Sequence, residues 1–266
     1  MDFKNCKNIW VDSGILYDTD IETINENKYL KTLIITDTDI LGEYLMINNP
    51  SVEAIIISGN ALSKEYDFDF TECQNLKIFS MGNLTEFETL EGLRGLKDIE
   101  VVNFGYIPSG LIQDSNNTFD TMRELCKKPY DLENDRISKP NNSFIHDISA
   151  IQGSNVKVLN ISGLYALSSE KLYETARNLP ELEEIVGLEL NNAEMCSKEL
   201  IDYCEEHSIK QPFTEKSMEI KKELRRIVEE YTTPEMSQEE KIKELSKYII
   251  NLVSYNFEYA NSEQYI

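Results

Sequence analysis

Cys204 and His207 are the one cysteine and histidine close enough in sequence to act together. A thiol activated by a neighbouring imidazole is a common acyl-transfer nucleophile. Here the two stand three residues apart on a segment that reads as helical, with no oxyanion-hole motif beside them, so the pairing reads as incidental. Cys6, Cys73, Cys126 and Cys196 are widely spaced, and no Cys-x-x-Cys occurs. An odd set of scattered thiols reads as structural and fits a reducing compartment. His146 has no ligand-spaced neighbour. Two acidic clusters, Asp18-Thr-Asp20 and Asp37-Thr-Asp39, open like calcium loops. In the second, Gly42 falls at the sixth position, but Leu41 replaces an oxygen ligand and Asn48 replaces the closing glutamate. The first has Thr23 at the glycine position. Both read as turn residues. No catalytic residue, metal or cofactor is expected.

Acidic residues outnumber basic ones 48 to 26, for a net charge of −22. Such a field repels phosphate backbones and anionic head groups, so neither nucleic acid nor membrane insertion is expected. A basic partner is weakly favoured. The first residues carry Asp2, Lys4, Lys7 and Asp12 and form no signal peptide, and the longest apolar runs are of the Ile55-Ile56-Ile57 kind. The chain as given reads as soluble, cytoplasmic by default and extracellular if cut from a longer secreted parent. Oligomeric state is not legible.

The elements that position these residues follow one template, apolar-x-x-apolar-x-apolar. Seven copies begin at Cys6, Leu30, Val52, Leu76, Leu96, Val156 and Ile185. Their inward pairs are Ile9/Val11, Leu33/Ile35, Ile55/Ile57, Phe79/Met81, Ile99/Val101, Leu159/Ile161 and Leu188/Leu190. The first five starts lie 24, 22, 24 and 20 residues apart. Each copy predicts a short strand whose alternation sends two core residues to one face. Leu41, Tyr44 and Leu45 have helical spacing, as do Leu172, Ala176 and Leu179 behind a Ser168 or Ser169 cap. The register breaks between Leu96 and Val156, where degenerate repeats plus an insertion are expected. That interval holds a helix over Phe119 to Lys127 and a possible hidden strand, Phe144 to Ile148.

Residues 1–212 resemble the leucine-rich repeat family in this template and spacing, as in Leu30-Lys-Thr-Leu33-Ile-Ile35 and Val52-Glu-Ala-Ile55-Ile-Ile57-Ser-Gly-Asn60. The resemblance implies an α/β fold: an irregular leucine-rich repeat solenoid with a parallel sheet on its concave side, followed by a C-terminal helical segment. The family's turn asparagine is present at Asn60 alone; Gly14, Thr38, Leu84, Phe104, Leu164 and Ala193 replace it. A regular asparagine ladder is therefore not expected. An irregular insertion occupies about 104–150.

A solenoid of this kind works by presenting a surface. The outward column of the template reads Trp10, Ile34, Ile56, Ser80, Glu100, Asn160 and Glu189. Its first half is apolar and its second half polar or acidic. Trp10, Ile34 and Ile56, extended by Ile78 and bounded by Glu100, are the expected partner-binding residues for a protein or peptide on the concave face. A loop from the insertion is one of the elements able to cover that stripe.

After Pro212 the character changes. A helix is expected from about Glu215 to Tyr231, completing a helical linker over 213–235. Ser237-Gln-Glu-Glu240 is a capping box opening a second helix, after which Tyr255, Phe257 and Tyr259 alternate like a strand. The stretch 236–266 resembles the opening of a transglutaminase-like domain in Glu240-Lys-Ile242, Leu245, Tyr248-Ile249 and Tyr255-Asn-Phe-Glu-Tyr259. Asn256 stands where that family has aspartate. The family's Cys, His and Asp lie downstream of this opening, and this chain has none there. The expected function is a non-catalytic interaction scaffold of bacterial type. The alternative is an N-terminal fragment of a transglutaminase-like or cysteine-protease-like enzyme, lacking its catalytic residues.

Overall fold

A computed structural model describes residues 3–41, 44–59, 67–82, 88–107, 109–113, 119–127, 144–164, 166–188, 197–210, 223–224 and 226–260. In chain order, β1 (Asn8–Asp12), β2 (Ile15–Tyr17) and α1 (Asp18–Asn25) come first. β3 (Thr32–Thr36), β4 (Asp39–Leu41) and β5 (Tyr44–Met46) come next, then β6 (Ala54–Ser58) and β7 (Asp67–Asp69). β8 (Ile78–Gly82) follows, with a 3-10 turn at Glu91–Leu93, and then β9 (Val101–Asn103). α2 (Ser109–Gln113), α3 (Phe119–Cys126) and a 3-10 turn at Ser149–Ile151 precede β10 (Val158–Asn160). α4 (Ser169–Ala176), β11 (Glu184–Val186) and α5 (Lys198–Glu206) complete this part. The architecture is mixed α/β. Its seven-stranded sheet is parallel, open, and ordered β1-β3-β6-β8-β9-β10-β11, which is chain order. The chain divides into two compact units, Met1–Pro212 and Phe213–Ile266.

Register follows the apolar columns. Ile9, Leu33, Ile55, Phe79, Val102, Leu159 and Ile185 stand side by side across the sheet, all buried. Each such side chain contributes about 1.5–3 kcal/mol by leaving water. The first four copies and the Val156 copy pair as the template predicts. The fifth and seventh are shifted by three residues: β9 turns Val102 rather than Ile99 inward, and β11 turns in Ile185 rather than Leu188. Apolar residues recur every three positions at Leu90, Leu93, Leu96, Ile99 and Val102, and at Leu179, Leu182, Ile185 and Leu188. The template fits such a run at several offsets, and the neighbouring strand selects one.

A row of charges marks each strand entrance. Lys31, Glu53, Lys77, Glu100, Lys157, Glu183 and Lys210 occupy the same place in successive turns. The carbonyl of one accepts the N–H of the next and of the residue after it, as Glu53 does from Lys77 (2.8 Å) and Ile78 (3.0 Å). Signs alternate from Lys31 onward; Lys7, whose carbonyl accepts the Lys31 N–H at 2.7 Å before β1, repeats the sign of Lys31. Lys31 meets Glu53 at 2.7 Å, and such exposed cross-strand pairs each add a few tenths of a kcal/mol.

Two further devices repeat. Ser13, Asp37 and Gly59 follow β1, β3 and β6 in left-handed conformation, with φ of 52°, 46° and 72°. This turns the chain while the N–H of each still reaches the next strand, at Thr36, Ser58 and Gly82 carbonyls, all 3.0 Å. A side chain at Gly59 would also collide with the Asp37 carboxylate, which lies 2.1 Å from the Cβ position. Behind the sheet, Asn27 donates its amide to the carbonyls of Phe3 (2.6 Å) and Cys6 (2.7 Å). Asn49 does the same to Ile24 (2.8 Å) and Asn27 (2.7 Å), and the Cys73 thiol reaches Ile47 (3.0 Å). A side-chain ladder therefore exists, but three residues before the Leu30, Val52 and Leu76 copies rather than after the strand. Asn60, where the sequence placed it, lies outside the described residues.

Other expectations are corrected. The Leu41–Leu45 segment forms strands, because β4 pairs with β2 and β5 with β7 in two small parallel sheets. Phe144 to Ile148 makes one bridge, Thr89 to Asp147, and enters a 3-10 turn; among the described residues no hidden strand occurs there. β10 pairs directly with β9, so the insertion leaves the sheet unbroken. Ser168 caps α4, its hydroxyl accepting the Lys171 N–H at 3.2 Å.

In the second unit, residues 226–231 are helical, and the Ser237/Glu240 capping box starts α6 (Gln238–Ala260). The Tyr231 and Tyr248 rings lie 4.8 Å apart. α6 runs through Tyr255, Phe257 and Tyr259, where a strand was expected; neither Gly nor Pro occurs after Pro234 to stop it. Residues 211–222, which hold the first part of the expected preceding helix, lie outside the described residues. Among the described residues, no helix is long and apolar enough to cross a membrane.

Candidate functional site

The front face of the sheet carries Trp10, Ile34, Ile56, Ser80, Asn103, Asn160 and Val186 in one paired row. This corrects two members of the expected column. Asn103 replaces Glu100, which belongs to the charge row, and Val186 replaces Glu189, which lies outside the described residues. The row is therefore apolar, then polar without charge, then apolar again.

The face is not open. Ile34, Ile56 and Ile78 are fully buried, packed in one cluster with Ile107, Ile112, Met122 and Cys126 of the insertion. Only Trp10 remains half-buried at the edge. The expected exposed docking stripe is corrected at Ile34, Ile56 and Ile78, which are buried, while Trp10 and Glu100 stay partly exposed. The physical reason is α3, whose apolar side, Met122 and Cys126 flanked by Phe119 and Leu125, matches the apolar stripe and removes it from water. Polar groups fasten the cover. Asn160 Nδ2 donates to the Cys126 carbonyl at 3.1 Å, and Ser58 Oγ to the Ile107 carbonyl at 3.3 Å. Glu100 meets Arg123 at 3.3 Å, and the Lys77 ammonium lies 5.8 Å from the Phe119 ring centre. Asn103 Nδ2 donates to Ser80 Oγ at 2.8 Å beneath the helix.

At the uncovered end, Trp10 Nε1 donates to Thr36 Oγ1 (2.9 Å), which donates to Asp12 Oδ1 (2.7 Å). Partial burial, then the Asp12 charge, push the Asp37 carboxyl above its ordinary value. A carboxylate raised in the folded state favours folding while protonated. Its contribution is complete below the unfolded pKa and is lost as pH rises through the folded one. Asp37→Asn removes that loss and suits the left-handed backbone. The variant is expected to melt about 1–2 °C above the parent at neutral pH, with solvent screening limiting the gain. The gap should narrow as pH falls through the range just above ordinary carboxylate values. Thermal melts at stepped pH check this.

Cys73, Cys126 and Cys204 are buried. Burial pushes Cys73 and Cys204 up to about 11 and Cys126 up to about 12. His207 does not face Cys204: its Nδ1 lies 2.9 Å from the Tyr203 carbonyl, and its ring centre 4.1 Å from that of Tyr203. Thiolate is the species that alkylates. In the native chain at neutral pH, half-buried Cys6 is expected to label with iodoacetamide well before Cys73, Cys126 and Cys204. Peptide mapping after labelling reads the order, and unfolding should abolish it. Asp18 and Asp20 lie in the first turn of α1, and Asp39 opens β4.

Two surface features remain. A cleft of about 750 Å³ is lined by Asn25, Asn27, Lys28, Asn49 and Asn75 among others, but the amides of Asn25, Asn27, Asn49 and Asn75 donate to backbone carbonyls. The second is the flank sheet β2–β4. Leu16 and Ile40 point inward, at 1% and 3% exposure, while Ile15, Tyr17 and Leu41 stand 44%, 52% and 49% exposed. Sequence reasoning passed over Ile15 and Tyr17 and read Leu41 as part of a helix. Ile15-Leu16-Tyr17 and Ile40-Leu41 read as continuous apolar runs, and only strand pairing separates their two faces.

No family model, curated protein or solved structure matches the chain.

Proposed function

We propose that Met1–Pro212 is a leucine-rich-repeat-type solenoid serving as a non-catalytic protein-interaction scaffold. The observation that carries this reading is the pairing of equivalent residues, in register and in chain order, across seven parallel strands. The repeated left-handed turns, the Asn27/Asn49/Cys73 ladder and the charge row support the same repeat. Each unit buries its apolar face only against its neighbours, which yields a long accessible surface for its mass. The front face is filled by the chain's own α2 and α3, so partner contacts fall on the flanks and rims. Burial of the Cys73, Cys126 and Cys204 thiols supports a scaffold over a thiol enzyme.

The test uses the full chain as bait, with each recovered protein purified and titrated back by calorimetry. A saturable partner whose binding survives iodoacetamide treatment of the native bait is the expected result. Ammonia release from glutaminyl peptides, abolished by Cys204→Ala, would overturn the reading. So would a folded chain that binds no protein saturably.

A further inference from the structure

The flank sheet β2–β4 is an unpartnered apolar face beside an open strand edge. Ile15 lies opposite Asp39, and Tyr17 opposite Leu41, so the outward face is three apolar side chains around one carboxylate. Among the described residues β2 pairs with β4 alone, leaving its far edge without a strand neighbour, although the Tyr17 N–H is already taken by Asp20 Oδ2 at 3.1 Å. The surroundings are acidic. Between Asp12 and Leu41 there are seven acidic residues against two lysines, and Lys31 of those two is committed to Glu53. Residues 1–212 as a whole carry 37 acidic against 18 basic side chains.

We propose, resting on the scaffold reading above, that this flank captures an extended, lysine- or arginine-bearing segment of a partner protein, added as a strand along β2. Strand addition supplies backbone hydrogen bonds to an open edge, and alternate side chains then lie over one face. A strand in that place sets its outward residues opposite Ile15 and Tyr17, about 4.8 Å away. A basic residue opposite Ile15 lays its aliphatic stem across that side chain and brings its charge to Asp39 beyond. An aromatic or aliphatic residue two positions on covers Tyr17 and Leu41. Exposed Asp18 receives a second basic residue at the α1 end. A second copy is a poor occupant, because this acidic region would face its own charge across a symmetric contact.

The probe is a capped, fluorescently labelled peptide, Thr-Lys-Thr-Tyr-Thr-Lys-Thr, titrated into the full chain by anisotropy at low salt. Saturable binding is expected, weakening at least tenfold in the Asp39→Lys/Leu41→Ser double variant and severalfold at high salt. The matched peptide with glutamate for lysine should not bind. Both substituted residues are exposed, so melting temperature serves as the folding control, and Ile15→Ser is an independent second variant. The proposal is overturned by absent saturable binding of the lysine peptide. It is also overturned by binding that both folded variants retain. Self-association of the parent in sedimentation, lost in the variants, would overturn it in favour of a second copy. The scaffold reading survives all three outcomes, because it fails only on its own partner titration and ammonia assay.

Discussion

Ile56→Ala is expected to cost about 2–5 kcal/mol of unfolding free energy, the range for truncating a buried aliphatic side chain. Ile56 lies on the interior strand β6, is fully buried, and packs in the cluster that joins the sheet to the insertion. Truncation removes the transfer free energy of its methyl groups and leaves a cavity between two elements that relax only in part. Chemical denaturation of parent and variant reads the difference directly. An open docking face would give the opposite result, a partner-binding defect with an unchanged melt. The covering helix supplies a second arm. Met122→Ala, from the other side of the same cluster, should destabilise by a similar mechanism, and the double variant should lose less than the sum of the two. Additive losses would mean that α3 and β6 do not share a core.

Asn49→Leu is expected to cost on the order of 3–5 kcal/mol despite its apolar replacement. The side chain is 1% exposed and makes four hydrogen bonds. Its Nδ2 serves the Ile24 and Asn27 carbonyls, and its Oδ1 accepts the Ser51 N–H (3.0 Å) and hydroxyl (2.6 Å). Leucine keeps the bulk but removes all four bonds, each contributing about 0.5–1.5 kcal/mol net. Adjacent Asn48 is exposed, and Asn48→Ala should stay within roughly 0.5 kcal/mol. Equal losses at the two positions would mean that the ladder contributes nothing.

The strands were legible where one reading of the apolar pattern existed. Ile55 and Ile57 admit a single offset, whereas the threefold spacing from Leu90 to Val102 admits several, and hydrogen bonding to β8 decides among them. The charge row would have resolved it, since Glu100 and Glu183 mark the entrances to β9 and β11. The amphipathic helix at Phe119 and the apolar stripe at Ile34 were each visible. That one covers the other is a tertiary fact, because two complementary surfaces far apart in sequence carry no local sign of meeting. Asn27 and Asn49 look like ordinary turn residues until the neighbouring carbonyls are placed. In the second unit, aromatic alternation at Tyr255–Tyr259 is outweighed by a helix with no breaker.

The alternating charges at the strand entrances give the array a parity. From Glu53 to Glu183 every position of the row has neighbours of the opposite sign, whereas Lys7 and Lys31 stand side by side with like charge. On the repeat reading proposed above, deleting or duplicating a single internal unit brings two like charges side by side at the new junction, whereas removing or adding two units restores the alternation. Each mismatch costs only a few tenths of a kcal/mol, yet it recurs in any assembly that skips one strand. A lineage of such chains should therefore change length most readily in steps of two.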